Sequence, residues 1–420
     1  MRGEWLEARG NSSSEYYCIF SSASSASSAP RLPLYKKLLV TDLVMSHVLI
    51  IGCGIVGATI AYELSLVPGL QVTVLDQQLP AQAATGAALG VLMGAISHKI
   101  KGNGWQMRAA SIKRYQTLIP ELETLTNRRI PVNQQGIVML CFSQKVADWE
   151  KLAAVRSQQG WQLEIWNIAQ LHAQCPHINI ENVAAAIYSP QDRQVDPTAL
   201  TLALVEAAKH NGVQFHFGVT VAGYIQDTTN SQLHIQLQTT ADAIQLPEIE
   251  AVDWLVIAAG IGSTKLQSLV VESISSTPGV EIKPVLGQAI HLRMNQPLGN
   301  PDFQPVVTAN DVHIVPCVGS LPITDYWVGA TVEFGANADA AQLEAVQKSA
   351  IAFCPALAEA KIIRTWSGLR PRPENRPAPV IGNLPGYSKI LLATGHYRNG
   401  VLLAPATAQK IREVVTRGEE

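Results

Sequence analysis

From His47 onward, apolar residues fall in short runs separated by amphipathic stretches. VLII (48–51) and QVTVLD (71–76) are β-branched runs of strand length, and between them Val56, Ile60 and Leu64 recur every four residues, as on one helix face. Strand, helix and strand in this order predict a βαβ unit on a parallel sheet. Asp196 and Pro197 form an N-cap and first-turn pair opening a helix that ends near Asn211 and Gly212. QFHFGV, the alternating HIQLQ and the buried run WLVIAAG (254–260) follow as strands. Between Pro284 and Phe334 the pattern changes. GQAIHLRM, DVHIVP and YWVGATVEF, separated by Gly, Pro and Asp turns, predict antiparallel strands. The expected fold class is α/β, α+β overall: a Rossmann-like doubly wound domain and a second, mostly antiparallel β domain. No internal repeat is visible.

Residues 1–44 carry no such periodicity. Ser12 to Ser28 contains nine serines and few large aliphatics, so this extension is expected to be disordered. It lacks the apolar core of a secretory signal; its serine content loosely fits a transit peptide, while Met45, just ahead of the first strand, fits a start residue. With 420 residues, 47% hydrophobic, 15% charged and a net charge of −2, the chain has the make-up of an ordinary folded protein of about two or three domains. Near-neutrality argues against nucleic-acid binding. The six cysteines include no C-x-x-C pair and read as reduced cytosolic thiols, and the ten histidines show no metal-ligand spacing, so no metal is expected. The longest apolar run, Val48 to Ala61, falls short of the ~20 residues a membrane span needs. The protein is expected to be soluble and cytoplasmic.

Gly52, Gly54 and Gly57 form G-x-G-x-x-G directly after a strand and at a helix start. The first glycine permits the tight turn, the second lets backbone approach a pyrophosphate, and the third lets helix and strand pack closely. Unpaired N–H groups and the positive end of the helix dipole then face the phosphates. Asp76, 19 residues after Gly57, places a carboxylate at the ribose. These features predict a dinucleotide site without separating NAD from FAD. ATGAALGVLMG (84–94) is a run of small residues suited to backbone lying against a bulky planar ligand. ILLATGHYRNGVLLAP (390–405) supplies a third approach: a strand, a glycine-bounded loop and a helix start at Pro405.

Together the fingerprint, the small-residue run, WSGLRP (366–371) and ATGHYRNGVLLAP (393–405) resemble the D-amino-acid-oxidase superfamily of FAD amine oxidases. Within it they look most like the glycine oxidases of thiamine biosynthesis, over residues 45–415. The resemblance implies FAD held non-covalently by Gly52, Gly54, Ile55, Val56, Gly57, Asp76, Gln77, Ala84, Thr85, Leu89, Gly90, Val91 and Val221, and by His396, Tyr397, Arg398, Asn399, Gly400, Val401 and Leu402. It implies domains over 45–125, 190–283 and 366–420 for FAD, and over 126–189 and 284–365 for substrate. Arg370 matches the family's carboxylate anchor, a task suited to a guanidinium because its fixed fork pairs both oxygens. Arg398 matches a second arginine at the substrate. Arg372 and Arg376 read as surface salt-bridge partners, and His396 as a structural hydrogen-bonder.

The implied reaction oxidises a small amine beside a carboxylate to an imine, with O₂ reduced to H₂O₂. This needs positioning and a neutral amine more than an acid or base. The implied partners are a small amino-acid substrate, O₂, thiazole synthase as recipient of the glycine imine, and further copies of the chain in a homo-oligomer. The same motifs also permit a sarcosine or D-amino-acid oxidase or dehydrogenase, or a flavin-binding assembly protein without turnover. The chain departs from the family at three positions. Cys53 fills a variable fingerprint position, Gly86 replaces a common serine and so removes a phosphate contact, and His313 replaces an aromatic hydroxyl. His313 and Asp311, two positions apart, are expected on one strand face at the substrate. An imidazole titrates ordinarily near ~6.5; two arginines disfavour its charged form and Asp311 favours it, so the neutral form is the expected active one.

Overall fold

The computed structural model describes residues 46–142, 146–226, 232–240, 246, 249, 251–271, 279–319 and 321–417. The extension at 1–44 lies outside the described residues. Helices are α1 (Ile55–Ser65), α2 (Gly102–Thr126), α3 (Val146–Gln158), α4 (Ile168–Gln174), α5 (Pro197–His210), α6 (Ser263–Val271), α7 (Ala340–Phe353) and α8 (Gly400–Arg417).

The β-branched runs build a six-stranded sheet in the order Val380–Asn383, Ile390–Thr394, Trp254–Ile257, Ser46–Ile51, Leu70–Asp76, Gln214–Phe217. It is parallel except at its first pair. α1 crosses from Ser46–Ile51 to Leu70–Asp76 and packs against α5 and α8. Because it has partners on more than one side, α1 is buried from Gly57 to Leu64, well beyond the four-residue stripe. That burial includes Glu63, whose carboxylate accepts from Arg114 Nε at 2.7 Å, with Arg412 at 3.7 Å. A buried carboxylate persists only when paired in this way. α5 runs as expected from an Asp196 cap, whose side chain accepts from Thr198 and Ala199 N–H.

The second large sheet runs Glu333–Phe334, Ile282–Arg293, Asp325–Gly329, Val312–Pro316, Val306–Ala309, Ile137–Cys141, Ala185–Ser189, Glu164–Trp166. Its pairs are antiparallel except Val306–Ala309 with Ile137–Cys141. Lys361–Pro373 adds to it by pairing with Ile282–Arg293 along its length. Its glycine and prolines give Lys361–Pro373 weak intrinsic strand preference, so tertiary pairing decides its conformation. Pro371 lies opposite Pro284. These two strands run through the expected domain limits at 284 and 366.

Two local expectations are corrected. Asp311 is not on a strand: Asn310 and Asp311, with φ of 49° and 66°, form the two-residue turn between Val306–Ala309 and Val312–Pro316. Such turns demand positive φ at both central residues, which Asn and Asp tolerate. α8 starts at Gly400, and Pro405 lies inside it. No helix among the described residues is long and apolar enough to cross a membrane. Cys53, Cys141, Cys175, Cys317 and Cys354 form no disulfide.

Candidate active site

The glycine fingerprint meets the end of Trp254–Ile257. Gly52 has φ +108°, and a Cβ there would stand 2.6 Å from the Ala258 carbonyl oxygen. At Gly57 a Cβ would come within 1.9 Å of the Gly52 carbonyl oxygen. Only glycine fits either position. Gly54 caps α1 without a side-chain hydrogen bond, and no acid occupies the first turn, so Ile55, Val56 and Gly57 open a helix whose positive end is uncompensated by side-chain charge.

Asp76 accepts from Cys53 N–H at 2.6 Å and Gln78 N–H at 2.9 Å, at the mouth of the glycine turn. Burial pushes its carboxyl up and these hydrogen bonds oppose the shift. Gln77 beside it is exposed. Ala84, Thr85 and Gly86 turn back over α1, where Thr85 Oγ1 accepts from Ile55 N–H at 3.0 Å. A serine at 86 would put its Cβ 2.3 Å from the Ala81 carbonyl oxygen, so the turn has no room for one. The hydroxyl of this turn comes from Thr85 instead.

Protein contacts explain much of the small-residue run. A Cβ on Gly368 would reach 2.3 Å from Ala87 Cβ, one on Gly329 would lie 3.3 Å from Leu89 Cδ1, and Gly90, with φ +73°, abuts the Val195 carbonyl. Trp366 Nε1 donates to the Ala87 carbonyl at 3.1 Å, and Gln194 Nε2 to that of Leu89. The run is therefore small partly because it lies on the second sheet, before it enters the short strand Val91–Leu92. Val221 is buried in a cluster with Ile51, Leu75 and Tyr224.

In the C-terminal loop, Gly395 has φ +66° and Tyr397 φ +54°. His396 is buried, its Nε2 2.9 Å from Thr407 Oγ1, and burial pushes it down to about 4. It is a neutral structural group. Asn399 Oδ1 accepts from Arg108 Nη2 at 3.4 Å, and Gly400, Val401 and Leu402 start α8. Arg372 is exposed and stacks over the rings of Tyr397 and Phe334, in place of the expected salt bridge. Arg376 is also exposed.

Arg370 stands on Lys361–Pro373, and its Nη1 donates to the carbonyls of Leu286 at 3.1 Å and Thr331 at 2.9 Å. Its guanidinium lies directly over Gly287, where a Cβ would be 2.2 Å from Nη2. Among the described residues no carboxylate forms an ion pair with it. Burial first, then Arg398, pushes its pKa down. Arg398 Nη2 lies 3.0 Å from Asp311 Oδ1, so the turn residue still reaches the arginine.

His313 pairs in register with Gly329 and Thr308. Its Nδ1 is buried without a hydrogen-bond partner among the described residues. Burial pushes it down to about 4, Arg398 and Arg370 act in the same sense, and Asp311 opposes them. These influences together favour the neutral imidazole. The structure brings Arg370, Arg398, Asp311 and His313 together. Sequence reasoning missed Trp327, which alternation puts on the same face as Gly329 and hence His313; its ring meets Trp366 edge-on at 6.1 Å. The signal was the pairing register, which strand pattern alone does not give.

A family model described as DAO, FAD dependent oxidoreductase, matches residues 47–414. The chain belongs to this family. DAO-family membership makes it an FAD-dependent oxidoreductase. It is 33% identical over 382 residues to a bifunctional ThiO/ThiG protein of Synechocystis sp., covering 88% of this chain and 51% of that protein. It is 27% identical to the glycine oxidase of Geobacillus kaustophilus, covering 89% and 95%. The crystal structure of the latter superposes with a TM-score of 0.75 at 25% identity, over 89% of this chain and 95% of that one. The chain spans about half the length of the ThiO/ThiG relatives it matches.

Proposed function

We propose that this DAO-family chain oxidises glycine, or a comparably small amine beside a carboxylate, to the imine. O₂ takes the electrons as H₂O₂, and the imine hydrolyses to glyoxylate and ammonia. The observation that carries this reading is Arg370: a half-buried guanidinium, positioned by two carbonyls over a glycine and without an ion-pair partner among the described residues, beside a neutral His313. A carboxylate supplies the missing anion, and bidentate pairing would fix the α-carbon as well as hold it. Neutral His313 can donate one hydrogen bond without adding charge.

Bound FAD supplies the two-electron acceptor. The glycine cradle around Gly52, Gly54 and Gly57 fits a pyrophosphate, because a Cβ at Gly52 or Gly57 would fill it and no acidic side chain occupies the first turn of α1. In this reading Asp76, Thr85 and residues 396–402 complete the FAD site. The six-stranded sheet with its helices is the cofactor module, and the larger sheet presents the substrate side chains. The ThiO/ThiG naming of relatives supports a role in supplying the thiazole branch of thiamine biosynthesis, with hand-over of the imine to a thiazole synthase. That Cys53, Cys141, Cys175, Cys317 and Cys354 form no disulfide supports a reducing, cytoplasmic setting. Peroxide and glyoxylate formed in equal amounts from glycine by the yellow, FAD-loaded protein would support the assignment. Turnover of sarcosine or D-alanine without glycine would replace it.

A further inference from the structure

We propose that Asp311 sets the charge at the outer end of this site, so that it accepts amines with one carboxylate and rejects those with two. The inference rests on the substrate reading above and adds a selectivity device to it. Arg370 is the inner cation and has no ion-pair partner among the described residues; its neighbour Glu333 is committed to Thr331, Gln288 and the Asp339 N–H. Arg398 is the outer cation. Its side chain is 34% exposed, and its partner Asp311, 3.0 Å away, is 73% exposed, so the pair faces solvent.

With His313 neutral, the four groups carry one net positive charge, Arg370's. One carboxylate matches it. A second carboxylate reaching Arg398 must displace Asp311 or lie beside it as a like charge, and either lowers affinity. The exposed Arg372 stacks over Tyr397 and is screened by solvent. Asp311 is held in position by its two-residue turn, closed by the pairing of Ala309 with Val312. Its location there, outside the regular strand, is what lets a side chain at 311 reach across to Arg398.

Neutral residues that tolerate positive φ keep this turn, so Asp311→Asn and Asp311→Gly are the variants of choice. In FAD-loaded protein, the dissociation constants of acetate and malonate can be read from the perturbed flavin spectrum, independently of turnover. Both variants should tighten malonate relative to acetate by about two- to fivefold, the range of a solvent-exposed charge pair. The kcat/KM ratio for D-aspartate over glycine should rise in parallel. Asp311→Asn combined with Arg398→Gln should lose the gain. Unchanged ratios in both single variants would overturn the proposal, as would a gain that survives in the double variant. If wild type binds acetate no better than Arg370→Ala, the substrate reading itself fails; if wild type oxidises glycine but Asp311 variants keep the wild-type ratios, only the charge device fails.

Discussion

Tyr115 donates its hydroxyl to the Val401 carbonyl, the acceptor that Pro405, four residues on and without an N–H, cannot satisfy. One turn earlier on α2, Ser111 Oγ accepts from the Ala406 N–H at 3.2 Å. α2 thus repairs the hydrogen bonding that the proline disturbs in the first turns of α8. Those turns continue directly from the loop carrying His396 and Arg398.

Tyr115→Phe should therefore leave a buried carbonyl unpaired and lower stability by about 1–3 kcal/mol. Urea unfolding of the FAD-loaded protein measures this. Thr124→Ala, on an exposed part of α2, serves as the control and should change little. Equal midpoints for Tyr115→Phe and wild type would show that water or a shifted helix already satisfies the carbonyl.

Gly57→Ala should abolish FAD retention, since its methyl would have to occupy space 1.9 Å from the Gly52 carbonyl oxygen. Gly104→Ala, whose Cβ would meet nothing closer than 3.9 Å, should purify yellow. Flavin content per protein after gel filtration distinguishes them. A Gly57→Ala protein with full flavin would mean that helix and strand can separate without losing the cradle.

The cofactor half was legible because its signals are local. The glycines, the flanking strands and Asp76 lie within one βαβ unit, and each residue type answers a steric or electrostatic need of that unit. The substrate side was less so. WSGLRP reads as a loop by composition, yet Arg370 sits on a strand that long-range pairing with Ile282–Arg293 creates. Asp311 changed from strand to turn because two-residue hairpin geometry overrode alternation. Pro405 looked like a helix start, but the partners that let it sit inside a helix, Tyr115 and Ser111, are about 290 residues away in sequence.

Arg370 also depends on a residue that sequence reasoning passed over. Gly287→Ala would put a methyl 2.2 Å from Arg370 Nη2 and displace the guanidinium. The variant should keep its FAD and raise KM for glycine about tenfold or more, because the carboxylate anchor moves while the cofactor cradle is untouched. Steady-state kinetics with flavin content measured in parallel checks this. An unchanged KM would place the substrate carboxylate elsewhere.

Burial pushes His177, His313 and His396 each down to about 4, against ~6.5 in an unfolded chain. Between these values the unfolded chain binds protons that the native protein does not, so stability should fall as pH drops from about 6.5 to about 4 and flatten below. Above pH 6.5 these groups should contribute no slope. Denaturant midpoints across that range test the sign. His396→Gln should lessen the slope, and an acid limb of kcat/KM due to His313 should lie near pH 4, below the range expected of a free imidazole.

The most direct test of the account is anaerobic mixing of the FAD-loaded protein with glycine while following flavin absorbance. Wild type should bleach, and Arg370→Ala, still yellow, should bleach far more slowly at the same glycine concentration. Equal bleaching in both would remove Arg370 from the substrate site. No bleaching of wild type by glycine, sarcosine or D-alanine would contradict amine oxidation itself.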